Sequence, residues 1–378
     1  MVNTDADRRE PAEDGLADTL RLCLTPGVGP TLRGRLLERF GSAASVLAAA
    51  PSQLREVQGV GEKLARKIAE TDPSIDIEAE IAFCREQGID ILTESDTGYP
   101  RALREIYNPP GVLFVRGKMK PADALAVGIV GTRHGTQYGL RQAQRLAAGL
   151  ARAGLTVISG LARGIDAAAH RGALEAGGRT IAVLGSGVLN VYPPEHEALA
   201  TEVAGQGAVL SESPPKTEPL AGMFPQRNRL ISGLSLGIVV VEAAERSGAL
   251  ITARHAMEQG REVFAVPGNV DSRASRGCHQ LLRDGAKLVE SVDDVLEELG
   301  PLVEAAPRDD GQVIHHPAEL LLNETERQVL AAVHGEATQI DRIVADTGLA
   351  VSQVLSTVSV LEMRHLIRRL SGTTVLRL

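Results

Sequence analysis

Short apolar runs recur through the middle of the chain, and most are followed by a glycine-containing loop and a stretch with helical periodicity. The apolar runs are 125–130, 156–159, 180–184, 208–211, 236–241 and 262–266. The helical stretches include 138–153, 165–176, 195–204 and 249–259. Continuous apolar runs separated by helices are typical of a parallel sheet covered on both faces. The pattern predicts an open, doubly wound α/β domain, with its ligand site beyond the carboxyl ends of the strands.

Two similar turn signals mark the region before this domain. The segments 25–30 (TPGVGP) and 58–61 (QGVG) each precede a helical pattern. Gly-Val-Gly between helices predicts a helix-hairpin-helix (SAM-like) domain, whose glycines let backbone N–H groups approach a phosphate. Three basic residues flank the second copy: Lys63, Arg66 and Lys67. Two interpretations stay open, namely contact with DNA, or glycines that only close tight turns in a small helical bundle.

The end of the chain predicts a winged helix. Helical patterns at 323–333, 340–346 and 351–364 are followed by a hairpin pattern at 366–378. The presumed recognition helix shows polar residues but no basic residue before Arg364, the polar ones being Ser352, Gln353, Ser356 and Ser359. A helix that binds DNA normally carries more positive charge, which favours a structural or partner-binding module.

Together these patterns divide the chain into five segments. We expect a disordered tail (1–15), a helix-hairpin-helix domain (16–75), the α/β domain (76–299), a linker (300–319) and a winged-helix domain (320–378). The prolines and mixed charges between the last two domains are typical of a linker.

Composition narrows the class of protein. The chain has 378 residues, a hydrophobic content of 43% and a formal net charge of −8, which permits a local basic groove but not a basic coat. Cys23, Cys84 and Cys278 are far apart and match no metal spacing, as in a reducing compartment. The polar start does not resemble a signal peptide, and no apolar stretch approaches the ~20 residues of a membrane helix. We therefore expect a cytoplasmic protein with no membrane partner.

The loops after the predicted strands suit one anionic ligand. Their glycines permit close backbone approach, their hydroxyls donate hydrogen bonds, and three of these loops carry an arginine whose planar fork fits a phosphate. The candidate residues are Gly131, Thr132, Arg133, Arg163, Arg246, Ser247, Gly248 and Thr252. The sequence matches neither G-x-G-x-x-G nor a Walker motif. Any single loop is also explained as a plain βα turn, but several together favour an anion site.

A further segment, FPQRNR (224–229), gathers a ring and two arginines in an acidic chain. We expect Lys216, Arg227 and Arg229 to line one side of the crevice and Phe224 to stack under a base, since stacking on aromatic rings is worth roughly 1–3 kcal/mol per base. Aromatic residues make up only 2% of the chain, so this position is informative. The alternative is that Phe224 fills the core and Arg227 pairs with a carboxylate such as Glu242.

Several ordered motifs resemble the DNA-processing protein A family (DprA/Smf). They are GTR (131–133), SGLARGIDAAAH (159–170), FPQRNR (224–229), SGALIT (247–252) and VPG (266–268). The resemblance implies an extended Rossmann-like core and a homodimer that binds single-stranded DNA. It also implies that the protein shields incoming single strands and loads the RecA recombinase onto them in natural transformation.

The resemblance also implies roles for individual residues. It assigns the grip on a phosphate to Arg133, and it places Phe224, Arg227 and Asn228 in the binding pocket. One departure concerns the edge of this pocket, because Pro194 and Glu195 follow Tyr192-Pro193 where relatives often have a basic residue that contacts DNA. This difference is expected to lower affinity.

An enzyme is the main alternative, since nucleotide phosphoribohydrolases of the lysine-decarboxylase-like family share a similar core. Their signature, Pro-Gly-Gly followed by Gly-Thr and a glutamate, is missing. The nearest segment, VPGN (266–269), lacks the glutamate. GLSLG (233–237) matches a nucleophile elbow in letters, but its helix precedes and its strand follows. Asp166 and His170 lie one helical turn apart without a third ligand, so we expect a cap and an ion pair rather than a metal site. We thus predict a DNA binder without catalytic residues, metal or cofactor; a regulator of duplex DNA would rest on the weakly charged winged helix alone.

Overall fold

The structure, a computed structural model, describes residues 11–70, 76–299, 306–307, 313–314, 319, 322–364 and 366–377. The chain forms two compact units. Unit 1 comprises 1–119, 160–162 and 181–234, and unit 2 comprises 120–159, 163–180 and 235–378. The first helix, α1, begins at Pro11. It therefore starts inside the predicted tail 1–15, whose first ten residues lie outside the described part.

The first part of unit 1 is a bundle of short helices. They are α1 (Pro11–Leu24), α2 (Pro30–Phe40), α3 (Ala43–Ala48), α4 (Pro51–Leu54), α5 (Glu62–Ala69) and α6 (Ile77–Glu86). The two Gly-Val-Gly turns connect α1 to α2 and α4 to α5, as the sequence predicts. Their valines, Val28 and Val60, are buried in a small apolar cluster with Leu36, Leu54 and Ile68. Each hairpin therefore contributes its central side chain to the core.

The described rest of unit 1 contains four strands, three α-helices and one short 3₁₀ helix (Pro194–His196). The strands are β1 (Ile89–Thr93), β2 (Val112–Gly117), β5 (Thr180–Val183, whose first residue belongs to unit 2) and β6 (Ala208–Ser211). The helices are α7 (Arg101–Arg104), α10 (Glu197–Gln206) and α11 (Met223–Gly233). β1 pairs antiparallel with β2, β2 antiparallel with β6, and β6 parallel with β5. The sequence pattern missed β2 and the antiparallel pairs.

Unit 2 contains a fully parallel sheet. Its strands are β3 (Ala126–Val130), β4 (Thr156–Ser159), β7 (Gly237–Val240), β8 (Glu262–Ala265) and β9 (Lys287–Leu288), in the order β4-β3-β7-β8-β9. The helices between and after them are α8 (Gln137–Arg152), α9 (Ile165–Glu175), α12 (Ala249–Glu258), α13 (Arg276–Arg283) and α14 (Val292–Leu299). Residues such as Val127, Leu146 and Phe264 form one buried core. The predicted α/β architecture, a mostly parallel Rossmann-like sheet, is confirmed.

The position of β3 defines where a ligand would bind. β3 lies between β4 and β7, so the chain leaves it in one direction and returns on its other side much later. In open α/β sheets this reversal of strand order opens a crevice at the carboxyl ends of the strands. The loops that follow β3 and β7 therefore flank the expected site.

The winged helix is also confirmed. It contains α15 (Glu324–Ala331), α16 (Ile340–Thr347) and α17 (Val351–Met363), with β12 (Thr338–Gln339), β13 (Ile367–Ser371) and β14 (Thr374–Arg377) in the order β12-β14-β13. Within the predicted linker, β10 (Ala306–Pro307) and β11 (Val313–Ile314) pair antiparallel. No single helix in the described residues is long and apolar enough to span a membrane, although α16 and α17, bent by 114°, pass that test of length and composition as a pair.

Candidate nucleic-acid interface

The loop after β3 is tightly braced. The backbone N–H of Thr132 donates to the carbonyl oxygen of Glu242 at 2.7 Å, and the N–H of Ile165 donates to the carbonyl of Thr132 at 3.2 Å. Gly131 has no room for a side chain, because a Cβ there would lie 2.9 Å from the Glu242 carbonyl oxygen. Gly131 and Thr132 thus shape the loop with their backbones, and Arg133 follows them with an exposed side chain.

A buried carboxylate holds the next turn of this loop. Glu242, only 2% exposed, accepts hydrogen bonds from the backbone N–H of Thr136 at 2.8 Å and from its hydroxyl at 2.6 Å. The same hydroxyl caps α8 by accepting from the N–H of Gly139. One side chain at the end of β7 therefore fixes the start of the helix that follows β3. The sequence left open an ion pair between Glu242 and Arg227. In the structure the Glu242 carboxylate instead bonds to Thr136 within unit 2.

The loop that leads into α9 packs against the β3 loop. Gly164 has φ +76° and ψ −123°. A Cβ at this position would overlap the carbonyl oxygen of Thr132 and lie 2.7 Å from that of Arg133. Arg163, which directly precedes Gly164, is exposed. The structure therefore brings the predicted pair Arg133 and Arg163 onto neighbouring loops of unit 2.

The loop after β7 leads into α12 as predicted, but its residues differ in accessibility. Arg246 and Gly248 are exposed, and the Ser247 hydroxyl accepts from the N–H of Ala249 at 3.3 Å. Thr252, predicted on the same face, is 2% exposed. Since α12 turns this face toward the core, Thr252 belongs to the packing of the helix, and direct contact with a ligand is not supported.

Unit 2 also has a cavity that the sequence did not indicate, with a volume of about 480 Å³. Its lining combines the capped start of α8 with the loop after β8: Thr136, Tyr138, Glu242, Pro267, Gly268, Asn269, Ser272 and Ser275. The Tyr138 hydroxyl donates to the carbonyl of Pro267 at 2.7 Å. Residues 266–268 of the VPG motif therefore lie beside the β3 loop.

Phe224 lies at the start of α11 in unit 1 and is partly exposed. Its ring lies 5.5 Å from the ring of Tyr192, centroid to centroid, at an interplanar angle of 48°. Gly185, after β5, backs this ring, because a Cβ there would approach Phe224 Cδ1 to 2.9 Å. The alternative of a fully buried core phenylalanine therefore does not hold, since Phe224 is only partly buried.

Two predicted contact arginines have internal partners. Arg227 is 6% exposed, and its guanidinium donates to the carbonyl oxygens of Gly160, at 2.8 Å, and Val183. The guanidinium of Arg229 forms a hydrogen-bonded salt bridge with the carboxylate of Glu212. Burial raises the pKa of Glu212, and the charge and hydrogen bond of Arg229 offset this only in part. The arrangement supports a structural role for Arg227, not the direct contact that the sequence indicated.

Asn228 and Lys216 complete the unit 1 set. Asn228 is partly exposed on α11, and its carbonyl accepts from the Ser232 hydroxyl at 3.4 Å. Lys216 is exposed, and its ammonium lies 3.6 Å from the centroid of the Phe83 ring. A cation over an aromatic face is attracted by the ring quadrupole. The Lys216 ammonium therefore has an aromatic partner within unit 1.

The two hairpins of the helical bundle differ in charge. The first lines a cavity of about 520 Å³ whose charged residues are all acidic, namely Asp76, Glu80 and Glu212. An acidic lining repels phosphate, so this hairpin fits the structural interpretation. The second hairpin is followed by the exposed Lys63, Arg66 and Lys67, although Arg66 pairs with Glu62.

Asp166 and His170, for which the sequence predicts a cap and an ion pair rather than a metal site, both lie in α9. His170 is buried, and its Nδ1 lies 2.7 Å from the hydroxyl of Thr180. Gly164, not Asp166, occupies the N-cap of α9. Over the described residues, no group of three or more histidine, cysteine or acidic side chains could hold a metal ion.

The fold and these loops define a class: a Rossmann-like protein with arginine-bearing loops at the carboxyl edge of its parallel sheet, between a helix-hairpin-helix and a winged helix. Family models match all three parts. They describe a SAM-like helix-hairpin-helix tandem (20–71), DNA recombination-mediator protein A (90–300) and the DprA winged-helix domain (315–373). The chain belongs to the DNA-processing protein A (DprA/Smf) family.

Individual relatives agree with this assignment. Protein Smf of Synechocystis is 37% identical over 92% of this chain and 94% of its own length. The DNA processing protein DprA of Bacillus subtilis is 46% identical over 58% of this chain and 74% of its own length. The crystal structure of DprA from Streptococcus pneumoniae is 35% identical with a TM-score of 0.66, covering 75% of this chain and 97% of that one.

A second solved structure bears on the ligand. It is DNA processing protein A from Helicobacter pylori, described with a single-stranded DNA binding mode. It is 30% identical to this chain with a TM-score of 0.51, and the match covers 56% of this chain and 95% of that one.

Proposed function

We propose that this protein binds single-stranded DNA without sequence preference, protects incoming strands and loads the RecA recombinase onto them during natural transformation. The observation that carries the proposal is the braced loop after β3, which bears the exposed Arg133 and packs against the loop of Arg163 at the carboxyl edge of a parallel sheet. Family membership and the single-stranded DNA binding of the Helicobacter pylori relative support the same ligand.

The residues divide into those that contact DNA and those that position the contacts. Arg133, Arg163 and Arg246 are exposed cations suited to phosphates, with Ser247 and Gly248 at the start of α12. Lys216, Asn228 and Phe224 form the contact set of unit 1, with the ring stacking on a base. The remaining predicted residues position these contacts without touching DNA themselves: Gly131, Thr132, Arg227, Arg229 and Thr252. Phosphate contacts dominate such binding, so affinity should fall steeply with salt.

Two further parts of the proposal concern assembly. We propose a cytoplasmic homodimer and a direct contact with RecA, both on the basis of family membership.

We also propose that the protein acts without catalysis. The test is incubation with nucleoside monophosphates, since release of free base would instead identify a phosphoribohydrolase.

Fluorescence anisotropy with a labelled oligo-dT and with its duplex compares the affinity of the protein for single-stranded and double-stranded DNA. Single-stranded DNA should bind more tightly, and equal or tighter duplex binding would contradict the proposal. Arg133→Ala should bind single strands at least tenfold more weakly and reduce the salt slope by about 0.7 for each lost phosphate contact. Arg152→Ala is the matched control, because Arg152 is exposed at the opposite end of α8. Equal effects of the two variants would place the site elsewhere.

A further inference from the structure

Tyr192 and Phe224 form a ring pair at the surface of unit 1. The chain has four tyrosines, five phenylalanines and no tryptophan among 378 residues, so two adjacent rings are uncommon here. Tyr192 is 36% exposed and Phe224 is partly exposed. Their centroids are 5.5 Å apart and their planes are tilted by 48°. A tilted pair of this kind presents two faces with different orientations.

The loop that carries Tyr192 is held by hydrogen bonds before and after the ring. The N–H groups of Gly187 and Leu189 donate to the carbonyls of Thr217 and Pro215, each at 2.9 Å, and the Ser186 hydroxyl donates to the carbonyl of Asn190 at 2.7 Å. On the far side, the short turn Pro194–His196 is fixed by a bond between His196 Nδ1 and the carbonyl of Leu161 at 2.8 Å.

This support matters because a stacking ring must be positioned before the ligand arrives. A preorganised side chain loses less conformational entropy on binding than a mobile one. The same tied segment, 214–217, includes Lys216, whose ammonium lies over the Phe83 ring. Lys216 and Tyr192 therefore lie on loops that are hydrogen-bonded to each other, and Phe224 lies beside Tyr192 at the start of α11. Cations combined with aromatic rings are what proteins use to bind single strands.

We propose that Tyr192 is a second base-stacking residue, so that the Phe224–Tyr192 pair receives two successive bases of one strand. The proposal rests on the proposed function of single-stranded DNA binding and specifies how unit 1 engages the bases. The tilt between the rings suits adjacent bases that are splayed apart rather than stacked on each other. Neither composition nor local spacing indicates Tyr192, because it lies 32 positions before Phe224.

The competing explanation is that Tyr192 only covers the side of Phe224. A cover would need bulk but no aromatic face, so Tyr192→Leu and Tyr192→Phe separate the two roles. An oligonucleotide with abasic sites in place of its bases separates stacking from contacts with the phosphates.

The experiment measures the Kd of the full chain and both variants for oligo-dT and for its abasic analogue. Loss of one stacked base should weaken binding of Tyr192→Leu to oligo-dT roughly 5- to 150-fold. Tyr192→Phe should stay within about twofold of the wild type, since it keeps the aromatic face. On the abasic strand all three proteins should bind alike. Photocrosslinking of the unaltered protein to a strand with one 5-iodouracil should also map to Tyr192.

Each other outcome has a defined meaning. If the wild type binds neither strand, the proposed function fails and this inference with it. If the wild type binds oligo-dT but Tyr192→Leu binds equally well, the inference alone is overturned. An equal loss on both strands would also overturn it, because it would identify a contribution to folding or to phosphate contacts. Should Tyr192→Leu misfold, absence of the Tyr192 crosslink in the unaltered protein overturns the inference.

Discussion

Gly164 connects the stability of the α/β sheet to the position of Arg133. Its φ of +76° with ψ −123° lies in a region that is nearly restricted to glycine. A Cβ would in addition overlap the carbonyl oxygen of Thr132 and lie 2.8 Å from the carbonyl carbon of Arg133. Gly164→Ala therefore introduces both backbone strain and a clash with a rigid main chain.

The magnitude follows from these two effects. The backbone conformation costs about 1–3 kcal/mol for a residue with a side chain. Relief of the clash displaces the β3 loop and weakens two hydrogen bonds, from Ile165 N–H to Thr132 and from Thr132 N–H to Glu242, each worth about 0.5–1.5 kcal/mol. We expect a loss of about 2–6 kcal/mol in the free energy of unfolding.

Gly177, just beyond the other end of α9, provides a matched control. Its φ is +73°, but a Cβ there would meet nothing within 4 Å. Gly177→Ala should cost only about 1 kcal/mol of strain. Urea denaturation followed by circular dichroism compares the stability of the two variants. Fluorescence anisotropy with oligo-dT then measures binding in the absence of urea, at a temperature at which both variants are folded. Binding should weaken only for Gly164→Ala. Equal losses of stability, or unchanged binding by folded Gly164→Ala, would refute the link between Gly164 and the Arg133 loop.

Two other predictions concern buried groups. Arg227→Met should lower the free energy of unfolding by about 2–4 kcal/mol, since it leaves two carbonyl oxygens without a charged donor. If Arg227 were instead an exposed contact arginine, the substitution would lower affinity for DNA and leave urea denaturation unchanged. Burial raises the pKa of Cys23 and Cys84 to about 11 and that of Cys278 to about 12. At pH 8 their thiolate fractions are therefore very small, and Ellman's reagent should label the folded protein at least tenfold more slowly than the protein in guanidinium. Rapid labelling of any thiol in the folded state would contradict these raised pKa values.

The strands and helices of the α/β part were predictable because apolar runs and helical periodicity are local signals. The predicted run 156–159 coincides with β4, and the predicted helix 165–176 differs from α9 by one residue. β2 was missed because Pro109 and Pro110 precede it and indicate a connection. The antiparallel pairing of β2 was not predictable, since an apolar run carries no information about strand direction.

The candidate site was predictable in its residue types but not in their environments. Arg227 looked like a ligand contact because its acceptors are carbonyl oxygens, which have no signature in the sequence. Thr252 has the helical spacing of a site residue, but the same spacing also describes a residue that faces the core. The resemblance placed Tyr192 at the edge of the pocket without a stacking role, because its contact with Phe224 joins distant parts of the chain.

The division of the chain into its two units affects how the protein can be made. The boundaries fall after residues 119, 159, 162, 180 and 234, so the polypeptide passes between the units five times. A ribosome must therefore synthesise residue 234 before unit 1 has all of its segments, while the helical bundle that emerges first can already collapse on local contacts. A single cut at any one of these boundaries cannot separate the two units, because every fragment that contains all of unit 1 also carries segments of unit 2. Point substitutions therefore probe one unit without removing part of the other.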